Sequence, residues 1–292
     1  MRPNIIVAAL FMSAAASAQV GPVTTEPEAV PFTVGAIQMV SLRDGANILP
    51  NDGKVFGVDA GVEAVDKVLV ASGATQGQID LSVNTLLVRL PGHVVLIDTG
   101  YGAARGLTLA SLEKAGVAPA AVTDVLITHG HGDHIGGLLT ADGKPVFVNA
   151  AVRMSAAEWA AVKAAPANAK LVAAIGKKVK TFAAGGAVLP GITAVDLSGH
   201  TPGHSGYRVA SGSKTMLAIG DSAHSYIVSL ARPGWIIQYD KDAAKAIARR
   251  EALLAGLATS GETVFSPHFP YPGVGRVTKA GGGYAWVPGL PR

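Results

Sequence analysis

Apolar positions along the chain fall in short runs broken by glycine and charged residues. Residues 83–90 and 94–97 are two such runs around Pro91-Gly92-His93, which predicts two strands joined by a tight turn. Asp98-Thr99-Gly100 ends the second. Residues 107–115 have helical spacing, with Gly116 placed to end the helix. Residues 122–128 predict a short buried strand running into a histidine-rich loop, and 145–148 a further short strand. Ser155-Ala156-Ala157-Glu158 has the spacing of a capping box, opening a helix to about Ala165. Residues 215–219 predict a strand ending at Gly220-Asp221. Asp240 is placed to cap a long helix whose apolar face includes Ile247, Leu254 and Leu257. Val264-Phe265 predicts a last strand, before Ser266-Pro267-His268. Strands alternating with helices argue for an α/β layered fold, in one continuous domain over 32–292.

The first 18 residues have a different character. Arg2, the apolar stretch 5–12 and Ala16-Ser17-Ala18 have the order of a secretory signal peptide, which predicts cleavage before Gln19. Residues 19–31, rich in Pro, Thr and Glu, predict an extended N-terminal arm. No later segment approaches the apolar length that spans a bilayer. The expected product is therefore periplasmic or secreted and, once the leader is cut, free of the membrane.

Composition narrows the chemistry. The chain has no Cys, which excludes a disulfide scaffold, a thiol nucleophile, a Cys-ligated zinc finger and an iron–sulfur cluster. Lys and Arg exceed Asp and Glu by only four, with no basic run, so no nucleic-acid partner is expected.

The chemistry lies in Thr128-His129-Gly130-His131-Gly132-Asp133-His134-Ile135-Gly136-Gly137. Alternate residues of an extended segment point the same way, so His129 and His131 can converge on one cation. Asp133 and His134 follow where the chain turns, and can face a second. Imidazole and carboxylate donors without sulfur suit zinc, with iron, manganese or cobalt as alternatives. Further candidates come at predicted strand ends: His204 in Gly199-His200-Thr201-Pro202-Gly203-His204, Asp221 after Gly220, and His268 after Pro267. A carboxylate such as Asp221 can bridge two cations. His200 reads as fixing its loop or a ligand rather than as a ligand itself, and His93, in a turn, as solvent-exposed. Trp159 and Phe182 could wall an apolar pocket, although a helical Trp more often belongs to the core.

These motifs resemble the metallo-β-lactamase-fold hydrolases. The His-x-His-x-Asp-His-x-Gly-Gly core carries the resemblance. The Asp98-Thr99-Gly100 turn, the Thr-Pro-Gly-His segment, Gly220-Asp221 and the late Pro-His follow in the family's order. The resemblance implies a four-layer αββα sandwich with two zinc ions. It implies His129, His131 and His204 on one ion, Asp133, His134 and His268 on the other, Asp221 bridging, and Asp98 orienting a ligand imidazole. Residues 36–45, 266–276 and the Gly-Tyr-x-Trp-Val-Pro ending at 283–288 are similar to the methyl parathion hydrolase and quorum-quenching lactonase branch. That branch implies small-molecule lactones, aryl esters or phosphotriesters as substrates, attacked by hydroxide held between the metals, with Asp133 moving the proton. A homodimer stays open.

Two departures stand out. Gly130 and Gly132 occupy positions often filled by larger residues, which predicts a wider floor to the site. His224 stands where homoserine lactonases commonly carry Tyr. It is a candidate either to donate a hydrogen bond to a developing oxyanion or to line the pocket. The rivals are a metallo-β-lactamase, which usually has Cys or Ser where Asp221 stands, a glyoxalase II-like thioester hydrolase, which shares all seven ligands, an oxygen-reducing di-iron protein, and a non-catalytic exported binding protein, which would be expected to have lost ligands.

Overall fold

The computed structural model describes residues 21–103 and 105–291; the expected leader at 1–18 lies outside them. Among the described residues, eight strands form one sheet. They are β1 (Gly21–Val23), β2 (Ala29–Val34), β3 (Ile37–Pro50), β4 (Gln78–Leu90), β5 (His93–Ile97), β6 (Asp124–Leu126), β7 (Ala151–Ser155) and β8 (Val179–Phe182). They lie in the order β1-β3-β4-β5-β6-β7-β8, with β2 also paired to β3. The second sheet comprises β9 (Ala187–Leu189), β10 (Ile192–Asp196), β11 (Ser205–Ser211), β12 (Lys214–Ala218), β13 (Thr263–Phe265), β14 (Val274–Ala280) and β15 (Gly283–Pro288), running from β15 to β9 in consecutive order.

Side-chain alternation shows why the sheets stack. On β4, Leu86 and Val88 enter the core between the sheets, where they meet Tyr207, Val209, Met216 and Phe265. Leu87 points the other way, into a second core. Among the described residues seven α-helices flank the sheets, α1 (Val62–Ala71) and α6 (Val228–Ala231) included, and that second core holds residues of α2 (Thr108–Lys114), α4 (Ala156–Ala164) and α5 (Ala169–Ile175), including Leu112, Val162, Leu171 and Ile175. On β12, Met216 and Ala218 face inward, while Leu217 packs outward against Leu254 and Leu257 of α7 (Ala243–Ser260). Burial on both faces of both sheets, with alternate residues entering opposite cores, gives helix, sheet, sheet, helix. The α/β class and the αββα layering follow from that.

Several local expectations need correction. Residues 145–148 form no strand, only an isolated bridge between Leu139 and Pro145. Val148 is exposed, and Ala151–Ser155 takes the place beside β6 instead. The long helix is capped by Asp242, whose side chain accepts from Lys245 N at 3.1 Å, and not by Asp240. His93 is no free turn residue: its Nδ1 lies 2.8 Å from the buried Asp124 carboxylate. Residues 21–23 of the N-terminal arm pair with Ala46–Ile48 of β3 as part of the sheet.

Candidate metal centre

The strand ends deliver the site. Parallel β5 and β6 finish side by side, with Ile97 opposite Leu126, and the residues that follow are Asp98 and the 128–135 loop. In the second sheet β12 and β13 are also parallel, with Ala218 opposite Phe265, so Asp221 and His268 leave the same edge. Asp98 has a φ of +59°, which turns its carboxylate under the histidine loop. Its Oδ1 accepts Thr128 N at 2.8 Å. Its Oδ2 accepts Thr128 Oγ1 at 2.9 Å and faces His134 Nδ1 at 2.8 Å. A proton on that Nδ1 leaves His134 Nε2 with a lone pair aimed into the site. The chain then turns through the single-turn helix α3 (Gly132–Ile135).

His129 Nε2, His131 Nδ1 and His200 Nε2 form a triangle with sides of 2.9, 3.0 and 3.2 Å. Asp221 Oδ2 lies 3.6 Å from the first and 3.5 Å from the third. His200, read from the sequence as a supporting residue, is thus inside the cluster. Its Nδ1 meets Asp240 Oδ1 at 3.0 Å. Asp240 also accepts from Arg250 of α7, a fully buried guanidinium that donates to the carbonyls of Ser222, Pro233 and Trp235. Burial pushes the His200 pKa down to about 3 against the pull of Asp240, so this imidazole is neutral with a lone pair free on Nε2.

His204, expected as a ligand, is not in the cluster. Its ring is buried, its Nδ1 bonds Leu197 O at 3.0 Å, and its Nε2 accepts Asp221 N at 3.0 Å. Both nitrogens are occupied by backbone, so no lone pair remains for a cation. His204 holds up the Asp221 loop instead.

The second group is Asp133, His134 and His268. Asp221 separates it from the first: Oδ1 is 3.1 Å from His134 Nε2, and Oδ2 is 3.1 Å from His268 Nε2. Asp133 carboxylate oxygens lie 3.8 Å from His134 Nε2 and 3.7 Å from His268 Nε2. His268 is turned by Ser82 O of β4, 2.9 Å from its Nδ1. Burial alone would raise the Asp221 pKa, but His134, His268 and His129 outweigh it and hold the carboxyl well below the usual range. Burial likewise disfavours the His134 cation, but Asp221, Asp98 and Asp133 prevail and lift its pKa well above that of a free imidazole, the same negative field that would favour a metal cation in place of the proton on Nε2.

Four buried atoms here have no hydrogen-bond partner: His134 Nε2, Asp221 Oδ1 and both ring nitrogens of His224. Unpaired buried polar atoms are costly. Three imidazole nitrogens within 3.2 Å of one another cannot all be satisfied by hydrogen bonds among themselves. A divalent cation in each group would satisfy the imidazole triangle, His134 Nε2 and Asp221 Oδ1, leaving only the His224 nitrogens unpaired, and a nitrogen-and-oxygen donor set fits zinc and its neighbours. His224 is buried, stacks on His268 at 5.3 Å with an interplanar angle of 6°, and brings Nε2 to 3.1 Å from Asp221 Oδ2.

A cavity of about 550 Å³ opens over this cluster. His131, Asp133, Asp221, His224 and His268 make its floor, and Asn47, Leu81, Tyr101, Arg105 and Tyr239 its walls. Gly21 and Pro22 of β1 complete the rim. The Arg105 guanidinium lies 3.6 Å over the Tyr101 ring, whose hydroxyl accepts Asn47 Nδ2 at 2.6 Å. Burial, with Asp133 nearby, pushes the Tyr101 phenol up to about 12. None of these wall residues was legible as such; only the place of Tyr101, directly after Asp98-Thr99-Gly100, was a signal. Trp159 and Phe182 are not in this wall: Trp159 packs on the helix-side core, and Phe182 on Tyr207 between the sheets. The two loop glycines also differ. A Cβ on Gly132 would meet nothing within 4 Å, and Gly132 lines the cavity. A Cβ on Gly130 would come within 2.6 Å of Val162 of α4, so Gly130 allows close packing and does not widen the floor.

Comparison with known proteins places the fold. The chain superposes on AidC, a dizinc quorum-quenching lactonase solved with the product N-hexanoyl-L-homoserine. That match has a TM-score of 0.84 and 28% identity over 91% of this chain and 99% of that one. It superposes on the hydrolase AbOPH of the beta-lactamase superfamily with a TM-score of 0.82 and 30% identity, over 92% of this chain and 100% of that one. It is 37% identical over 125 residues to Metallo-beta-lactamase domain-containing protein 1 of Mus musculus, a match that covers 40% of this chain and 48% of that protein. The chain thus spans about half the length of that curated relative, or less in the case of the Xenopus laevis protein of the same name, where 19% is covered. Residues 79–268 match the model of the metallo-beta-lactamase superfamily, well over half of the chain, and the protein belongs to that superfamily.

Proposed function

We propose that the protein is an exported hydrolase that uses two divalent cations, zinc first among them, to cleave lactones, aryl esters or organophosphate triesters. The observation that carries this reading is the meeting of two donor groups, His129/His131/His200 and Asp133/His134/His268, on one buried carboxylate under a cavity sized for a small molecule. Cations in such a pair acidify water and polarise a substrate carbonyl or phosphoryl oxygen.

The chain's own residues do the rest. Asp98 and Asp240 hold the rings of His134 and His200, and Ser82 O turns His268. Asp133, only partly buried at the cavity floor, is placed to carry a proton between attacking water and leaving group. His224, with both nitrogens unpaired, is placed to donate to the oxygen on which charge develops. The lactone preference is supported by the AidC product complex and the phosphotriester option by the resemblance of 36–45 and 266–276. The signal sequence supports export.

The test is a substrate panel on the zinc-loaded protein: δ- and γ-lactones, p-nitrophenyl acetate, paraoxon, methyl parathion and nitrocefin. Turnover of lactone or aryl ester that chelation abolishes and zinc restores is expected. Hydrolysis by a preparation shown to be metal-free refutes the reading. Nitrocefin as the favoured substrate moves the protein to the β-lactamases. Recovery of the protein with residues 1–18 intact refutes export by cleavage.

A further inference from the structure

Glu158 sits at the third position of α4, behind Ser155, whose Oγ accepts its amide at 3.1 Å. In a capping box the carboxylate at this position turns back to the cap residue. Here it reaches forward. Oε1 accepts Gly130 N at 2.8 Å, and Oε2 accepts Thr201 Oγ1 at 2.7 Å and Gly203 N at 2.9 Å. Ser155 Oγ donates to Gly203 O at 2.7 Å, so the cap and the carboxylate grip that peptide from both sides. Gly130 stands between His129 and His131. Thr201 follows His200. The carboxylate therefore ties together the two segments that carry the three-imidazole triangle, and it makes no hydrogen bond to the segments of His134, Asp221 or His268.

The packing makes this link tight. A Cβ on Gly203 would overlap the Glu158 backbone nitrogen and Ser155 Oγ, and one on Gly130 would lie 3.3 Å from Oε1. Glu158 is 2% exposed, and among the described residues no salt bridge reaches it. A buried carboxylate without a protein cation is expensive, and amides and a hydroxyl meet only part of the cost. A divalent cation held by the three imidazoles, just beyond those amides, would supply the missing positive charge.

We propose that Glu158 is the positioning residue for the His129/His131/His200 cation: it sets the spacing of the two loops and supplies the negative charge behind them, leaving the second cation to Asp133, His134 and His268. This rests on the proposed two-cation reading. The experiment compares wild type with Glu158→Gln, which keeps the shape and loses the charge. Zinc is titrated against a chromophoric chelator, stoichiometry is read by native mass spectrometry, and melting is followed after metal removal. The expected result is two zincs in wild type and, in Glu158→Gln, one of them weakened about 10–100-fold with the other unchanged. The metal-free melting temperature should also fall, because the glutamine Nε2 cannot accept from the buried donors that meet the carboxylate, so the unequal loss at the two zincs is the deciding readout. Equal weakening of both zincs would show a purely structural residue and overturn the proposal. So would two unchanged affinities. Wild-type protein that binds no zinc would instead overturn the two-cation reading beneath it. Should Glu158→Gln fail to fold, Thr201→Val removes one of the three bonds and is judged by the same selective loss.

Discussion

Replacing His200 and His204 separately by alanine distinguishes a side chain that serves a cation from one that serves the backbone. In His204→Ala, Asp221 N and Leu197 O both lose their partner in a fully buried place. Each buried unsatisfied group costs about 1–3 kcal/mol, so the metal-free protein should lose roughly 2–6 kcal/mol. At this chain length that is a fall in melting temperature of about 3–10 °C. In His200→Ala the remaining Asp240 carboxylate keeps Arg250, and Arg250 keeps three carbonyls, so no buried ion is left alone. Metal-free stability should drop by less than for His204→Ala, while the stoichiometry falls from two zincs to one. Calorimetry of stripped protein and elemental analysis after reloading give the two readouts. If His204→Ala loses one zinc at an unchanged melting temperature and His200→Ala keeps both, the assignment of the two rings is wrong.

The glycines of the histidine loop should separate in the same way. Gly130→Ala forces a Cβ against Val162 and should cost about 1–3 kcal/mol, whereas Gly132→Ala should change stability by less than about 1 kcal/mol; denaturant unfolding decides. Far from the site, Asp124 is held below its ordinary 3.8: burial raises it, but His93, Arg153 and Thr123 lower it further. A depressed carboxyl contributes stability that is present above the unfolded value of 3.8 and is lost as pH falls through the folded value. Asp124→Asn should therefore lower stability at neutral pH and flatten its decline below about pH 4; an undiminished acid slope would count against this pairing.

How far the site could be read from the sequence depended on the range of the interactions. His129, His131, Asp133 and His134 are local: two residue types at strand spacing followed by a turn point at one place whatever the rest of the chain does. Asp221 and His268 were legible as polar residues at the ends of apolar runs, and the α/β class as strands alternating with helices; the four-layer stacking was implied only by the family resemblance, and the structure shows it where β4 and β12 send alternate side chains into different cores. The choice between His200 and His204 was not. Four residues apart on one loop, they are chemically identical, and only the backbone atoms of Leu197 and Asp221 occupy one ring while Asp240 and Arg250 orient the other. The same limit hid Asp240, which has the pattern of a helix cap, and Glu158, which has that of a capping box. Short-range geometry fixes which residues can ligate. Which of them do, and which hold the ligands in place, was decided by tertiary contacts, from 17 residues of chain between His204 and Asp221 to 43 between Glu158 and Thr201.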